Sequence, residues 1–146
     1  MSNGIKVVKR KGHIEPLDLE KMHKMVELAC DGLAGVSASQ VEIQSGIQFY
    51  DGMSTADIQG ILVKSASDLI DLDAPNYQYV AARLLLFGLR KNLYARIHEL
   101  PTLIDQIQRG IDKGIYDADI LNKYSEKEIE TLDNIIDHER DYLFTY

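Results

Sequence analysis

Residues 7–22 read VVKRKGHIEPLDLEKM, and the rest of the chain is best read outward from them. Ile5 and Val7 alternate with polar neighbours before Lys11-Gly12, and Ile14 resumes the alternation after it, the pattern of two short strands joined by a tight turn. The hairpin presents Lys9 and Arg10 at its tip. Directly behind it, Glu15-Pro16-Leu17-Asp18 leads into a helical pattern, and Asp18 can accept from the backbone N–H groups that open a helix. Cations suited to phosphate and a carboxylate suited to a base edge fall within one short segment.

Beyond the hairpin the periodicity is helical. Leu19, Met22, Val26, Ala29 and Leu33 recur on one face, with Gly32 and Gly35 as stops. Ser37 opens a capping-box spelling with Gln40, and Val41, Ile47 and Phe49 predict a second, weaker helix running to Asp51-Gly52. Ser54-Thr55 is the next helix start, followed by Ile58, Ile61, Leu62, Ala66 and Leu69. After Asp73-Ala74-Pro75 the longest helix is predicted from Asn76 to His98, apolar on nearly all sides and therefore central to a bundle. Pro101 closes this unit, giving a first domain over 1–100 and a helical connector over 101–146. In the connector, Leu103, Ile104, Ile107 and Ile111 form a short helix stopped by Gly114, and Ser125-Glu126-Lys127-Glu128 is another capping box. From Asp117 to Asp141 there are nine acids against three bases, too polar for a domain of its own and expected to pack on the bundle or on a partner. The predicted fold class is mainly α: a small helical bundle capped by a short β-hairpin or sheet, followed by a short helical segment.

Composition narrows the functional classes. The chain has 146 residues, a net charge of −7 and a pI near 5.0, which argues against a general nucleic-acid binder. Lys6, Lys9, Arg10 and Lys11 are a local exception to that acidity. Cys30 is the single cysteine, so no disulfide framework, zinc cluster or redox pair can form within the chain. No apolar run is long enough for a bilayer and no signal-peptide pattern opens the chain, so a cytosolic protein is predicted, with no membrane partner.

The four histidines, His13, His23, His98 and His138, lack metal-ligand spacing, no nucleophile elbow is spelled, and no GxxxxGK[ST] loop is present. A nucleotide site would need another geometry. Lys9, Arg10, Thr55, Gln59 and Lys91 can share one polar cup, where cations and helix-start N–H groups both favour a triphosphate. Glu15 would then accept from the exocyclic amine of adenine, with Leu17, Met22 and Phe49 as apolar walls. The plain alternative for the same residues is solvated cations, a turn carboxylate and core side chains.

The runs VVKRKGHIEPLDLEKMHKMVELACDGL, VSASQVEIQSGIQFYDGMSTADIQGILVKSASDLI and APNYQYVAARLLLFGLRK closely resemble the ATP-cone of the large (α) subunit of class Ia ribonucleoside-diphosphate reductase. The run KGIYDADILNKYSEKEIETLDNIIDHERDYLFTY resembles the segment leading from that cone into the subunit's catalytic barrel. The resemblance implies an overall-activity regulatory domain that binds ATP or dATP, with Mg2+, and controls reduction of ribonucleoside diphosphates. It places Lys9, Arg10 and Lys91 on the phosphates, Glu15 and Asp18 at the adenine, Lys21 and Thr55 at the sugar-phosphate side, and Met22 and Phe49 at the walls. Pro16, Leu17 and Gln59 complete the expected nucleotide-binding set. The implied partners are the remainder of the α subunit, the radical-generating β subunit and further copies of the chain.

Two positions depart from the family pattern, where histidine is usual: Gln59 and Gly88. Gln59 carries no charge and Gly88 has no side chain to offer, so a weak or absent response to dATP is expected. Cys30 matches neither the radical-forming cysteine nor the redox pair of the barrel, so this chain alone is not expected to be an enzyme. The rival expectation is a cone that no longer responds to dATP and serves as a subunit-docking module. A cone-bearing transcriptional repressor would need paired CxxC motifs, which the sequence lacks.

Overall fold

The computed structural model describes residues 4–146. Strands β1 (Lys6–Val8) and β2 (Ile14–Pro16) pair antiparallel in the register Lys6↔Pro16, Val7↔Glu15 and Val8↔Ile14. Their turn is closed by Gly12 N–H to the Lys9 carbonyl at 2.8 Å and by Lys9 N–H to the His13 carbonyl at 2.9 Å. Gly12 sits at φ +86°, a conformation glycine adopts without steric penalty. Pro16, which has no N–H to donate, lies on an edge strand, where none is needed.

A third strand, β3 (Met53–Ser54), runs parallel to β1 on its other side, giving the order β2-β1-β3. The sequence did not announce it, because two residues are too few to show an alternation. It is built by the turn before it. Asp51 Oδ1 accepts from Lys6 N–H at 2.8 Å, and Gly52 N–H donates to the Lys6 carbonyl at 2.8 Å.

Helices α1 (Leu19–Cys30), α2 (Ala38–Gly46), α3 (Thr55–Asp68) and α4 (Tyr77–Tyr94) follow. Asp18, Ser37 and Ser54 cap the first three; Ser37 accepts from Gln40 N–H without the reciprocal bond of the expected capping box, whereas Ser54 forms a full box with Asp57. Two helices are shorter than predicted. After Gly46, a poor helix former, the bonds Gln48 N–H to Ser45 O (2.9 Å) and Phe49 N–H to Gly46 O (3.3 Å) tighten the chain into a turn, so α2 does not reach Asp51. Likewise α4 stops at Tyr94 rather than His98: Ala95 and Glu99 take positive φ, and the buried Arg90 guanidinium donates to the Ile97 carbonyl at 3.2 Å. Nor is α4 enclosed on all sides. Val80, Ala81, Leu84 and Phe87 have no exposed surface, whereas Leu85, Leu89 and Leu93, four residues apart, form an exposed row.

The chain divides into two compact units. One comprises the described residues up to Leu89 together with Asp141–Tyr146; the other is Arg90–Arg140. The boundary expected from sequence at 100/101 therefore falls inside the second unit, and the last six residues belong to the first. Val26, Val41, Leu62, Leu84 and Phe87 form the core of the first unit. Its closing segment is held by Tyr146 N–H to the Gln78 carbonyl (3.0 Å), by the Tyr142 ring edge-on to Phe87 at 6.3 Å, and by Arg83 over the Tyr142 ring at 5.2 Å. The same guanidinium donates to the carbonyls of Ala29 (3.2 Å) and Asp31 (2.8 Å), which gives the C-terminal end of α1 the partners its own helix cannot supply.

The second unit holds α5 (Leu103–Asp112), α6 (Ile120–Lys123) and α7 (Glu126–Asp133). Leu103 N–H donates to Asp133 Oδ1 at 3.1 Å, Ile129 is buried, and Ser125 and Glu128 make the expected capping box. A 3-10 helix spans His138–Leu143. Among the described residues no helix is long and apolar enough to cross a membrane.

Candidate functional site

The three-stranded sheet gathers the charged residues of the opening segment. Lys9 Nζ lies 2.7 Å from Glu15 Oε1, and His13 Nε2 lies 3.1 Å from Glu15 Oε2. The hydrogen bond from Lys9 holds the Glu15 carboxyl below its usual range; desolvation opposes it, and His13 adds to the lowering. Arg10 and Lys11 are exposed in the turn. The parallel register Val8↔Ser54 brings the following residues, Lys9 and Thr55, to neighbouring chain ends, so the hairpin tip meets the start of α3.

The start of α1 is the second edge of the site. Asp18 caps it, accepting from Lys21 N–H at 2.9 Å, and the Lys21 side chain is exposed in the first turn. Glu15 and Leu17 are two residues apart on extended backbone and project to one side. Next to them opens a groove of about 610 Å³, walled by Ile5, Leu17, Met22, Ile43 and Phe49. Its volume lies in the range of small-molecule pockets, and its lining is predominantly apolar. All three side chains expected to wall a base, Leu17, Met22 and Phe49, meet here.

Sequence reasoning missed the polar edge of that groove. His23, on α1, places Nδ1 2.7 Å from Glu42 Oε1 on α2 and Nε2 3.1 Å from Glu27 Oε1. The bond to Glu42, reinforced by both carboxylate charges, raises the His23 pKa above its ordinary value. The i,i+4 spacing of His23 and Glu27 was legible; Glu42 depended on how α1 and α2 pack. His13 was legible too, being two residues from Glu15 on the same strand face.

The two remaining expected residues stand on α3 and α4. Gln59, one turn beyond Thr55, donates Nε2 to the Leu84 carbonyl of α4 at 2.6 Å. Lys91 is half-buried in the last turn of α4 and belongs to the second unit. Cys30 is partly buried, and burial pushes its thiol up to about 11, which leaves little thiolate for nucleophilic or metal chemistry.

Residues 5–92, which contain the hairpin, the groove and α1 to α4, match the family described as the ATP cone domain. The chain belongs to the ATP-cone family. It is 46% identical over all 146 residues to ribonucleoside-diphosphate reductase 1 subunit alpha of Escherichia coli, 43% over all 146 to the subunit alpha of Haemophilus influenzae, and 42% over 144 residues to that of Enterobacteria phage T4. It spans about a fifth of the length of these relatives, 19% in each case. In this cone, the hairpin and α1 carry most of the exposed positive charge, on Lys6, Arg10, Lys11, Lys21 and Lys24, while Ile5, Leu17, α1, α2 and Phe49 supply the apolar groove.

Proposed function

We propose that this cone binds adenine nucleotides, ATP or dATP, and thereby regulates a ribonucleoside-diphosphate reductase large subunit of which it forms part. The observation that supports this reading best is the meeting of Leu17, Met22 and Phe49 on one groove beside a hairpin whose Lys9 and Glu15 are already in contact. In the reading, Lys9, Arg10 and Lys91 bind the phosphates, Lys21 and Thr55 the sugar-phosphate side, and Glu15 and Asp18 the base. Mg2+ enters as part of the triphosphate ligand.

The Lys9–Glu15 pair gives the binding event a mechanism. In the free chain each neutralises the other, and the pair is open to solvent, so parting it is cheap. A triphosphate draws Lys9 away with a greater negative charge, and Glu15, released, becomes an acceptor for the exocyclic amine of adenine. Base and phosphate recognition are thus linked through a single exchange of partners. ATP and dATP differ at one hydroxyl, so any difference in response is a difference in which arrangement of the cone, and which assembly, each nucleotide favours. Nucleotide reduction itself belongs, in this reading, to the remainder of the large subunit acting with a radical-generating small subunit.

Calorimetric titration with ATP and with dATP in magnesium buffer, with Lys9→Ala as control, tests the proposal. Saturable binding that the substitution abolishes is expected. Absence of heat and of thermal stabilisation with either nucleotide overturns it. The second reading, a docking module without nucleotide response, then takes its place; the exposed leucine row of α4 is the observation that favours it.

A further inference from the structure

Gln59 and Gly88 stand on different helices, 29 positions apart, and fit together as one packing unit. Gly88 is buried, and a Cβ at that position would stand 2.9 Å from Gln59 Cγ, 3.5 Å from its Cδ and 3.8 Å from its Nε2. The Gln59 side chain therefore occupies the notch that the missing side chain leaves in α4. Its amide then donates to the Leu84 carbonyl at 2.6 Å, the same carbonyl that α-helical geometry offers to the Gly88 N–H, so both lone pairs of that oxygen are used.

We propose that Gly88 decides whether Gln59 reaches a bound nucleotide: the notch in α4 holds the Gln59 amide away from the phosphates, and any side chain at position 88 would release it. The inference rests on the nucleotide reading given above. Gln59 lies four residues after Thr55, so the two side chains share one face of α3. A glutamine on that face has two alternative directions, back along the helix toward Thr55 or across to α4. Gly88 makes the second available, and the hydrogen bond to Leu84 fixes it. A site that contains a neutral phosphate donor in its sequence thus withholds it in its structure. The specificity-determining position is the glycine, which touches no ligand.

The test is a double-mutant cycle on the full chain with Gly88→Ala and Gln59→Ala, titrated with ATP and with AMP. Gly88→Ala is expected to tighten ATP binding by about tenfold, the effect of one added hydrogen bond to a charged phosphate, and AMP, which offers one phosphate in place of three, should gain less. In the Gln59→Ala background the same substitution should give no gain. A gain of equal size in both backgrounds, or none in either while the unsubstituted chain binds ATP, overturns the inference and leaves the nucleotide reading standing. No ATP binding by the unsubstituted chain overturns the nucleotide reading, and this role with it. NMR gives a readout without ligand: the Gln59 side-chain amide protons should exchange slowly with solvent in the unsubstituted chain and rapidly in Gly88→Ala. Equal exchange in the two would also overturn the lock. Should Gly88→Ala alone fail to fold, recovery of folding in the double variant is the result that direct competition for the notch predicts, and failure of both contradicts it.

Discussion

The two units of the chain are held together by different means. The first encloses Val26, Val41, Leu62, Leu84 and Phe87 with no exposed surface, whereas among the described residues Ile129 is the single buried apolar side chain of the second. In the second unit Ile115, Leu132 and Ile135 are more than half exposed, and specific bonds such as Leu103 N–H to Asp133 and the Ser125–Glu128 capping box carry a larger share of the organisation. A unit built on burial withstands loss of any one hydrogen bond; a unit built on a few bonds and one isoleucine does not.

Core truncations probe this contrast most strongly. Phe87→Ala should destabilise the first unit by about 3–5 kcal/mol in urea unfolding, because it removes a fully enclosed ring and its edge contact with Tyr142. Ile129→Ala should cost about 2–3 kcal/mol, toward the lower end for such truncations since its surroundings are open enough to collapse. Its hydrogen-exchange signature should be loss of protection in α5 and α7 with α3 unchanged. Equal loss in α3 would break the contrast.

Cap removal sharpens the comparison at smaller magnitude. Ser54→Ala and Ser125→Ala delete the same motif in the two units, and each should cost about 1 kcal/mol by thermal melting. The local consequence should differ. The start of α7 should lose amide protection after Ser125→Ala, while α3, anchored by Ile58 and Leu62, keeps most of its own.

The smallest expected effect concerns pH. His23 has a raised pKa, so its contribution to stability is complete below its ordinary value of 6.5 and is lost as pH rises through the raised one. Glu15 behaves oppositely: its lowered pKa gives a contribution present above 4.5 and lost as pH falls through the lower value. An NMR titration should find His23 above 6.5, moving back toward it in Glu42→Gln. A value unchanged by that substitution would remove Glu42 as the main cause.

Much of the fold was legible because local signals are strong where capping and turn chemistry are specific. The hairpin turn at Lys11-Gly12 and the caps at Asp18, Ser37, Ser54 and Ser125 all stand where the sequence put them. What was not legible depends on contacts distant in sequence. β3 exists because Asp51-Gly52 binds Lys6, α4 ends early where Arg90 finds a carbonyl of the unwinding chain, and the chain after Asp141 returns to α4 through Tyr142. In the candidate site, the walls Leu17, Met22 and Phe49 follow from pattern and resemblance. The Lys9–Glu15 ion pair, the His23 bridge and the Gln59 notch were not legible, since each is a choice among partners that one sequence leaves open.

The first unit is closed by Asp141–Tyr146, after the intervening stretch Arg90–Arg140 has gone its own way. During synthesis, at about 5–20 residues per second, roughly 3–11 s pass between the emergence of Phe87 and that of Tyr142. For that interval the Arg83 guanidinium and the edge of Phe87 have no cover from the chain that will later hold them. The most nearly self-sufficient part of the molecule is thus the one that must wait for a distant segment to be made, and its nascent form offers a chaperone a defined place to bind.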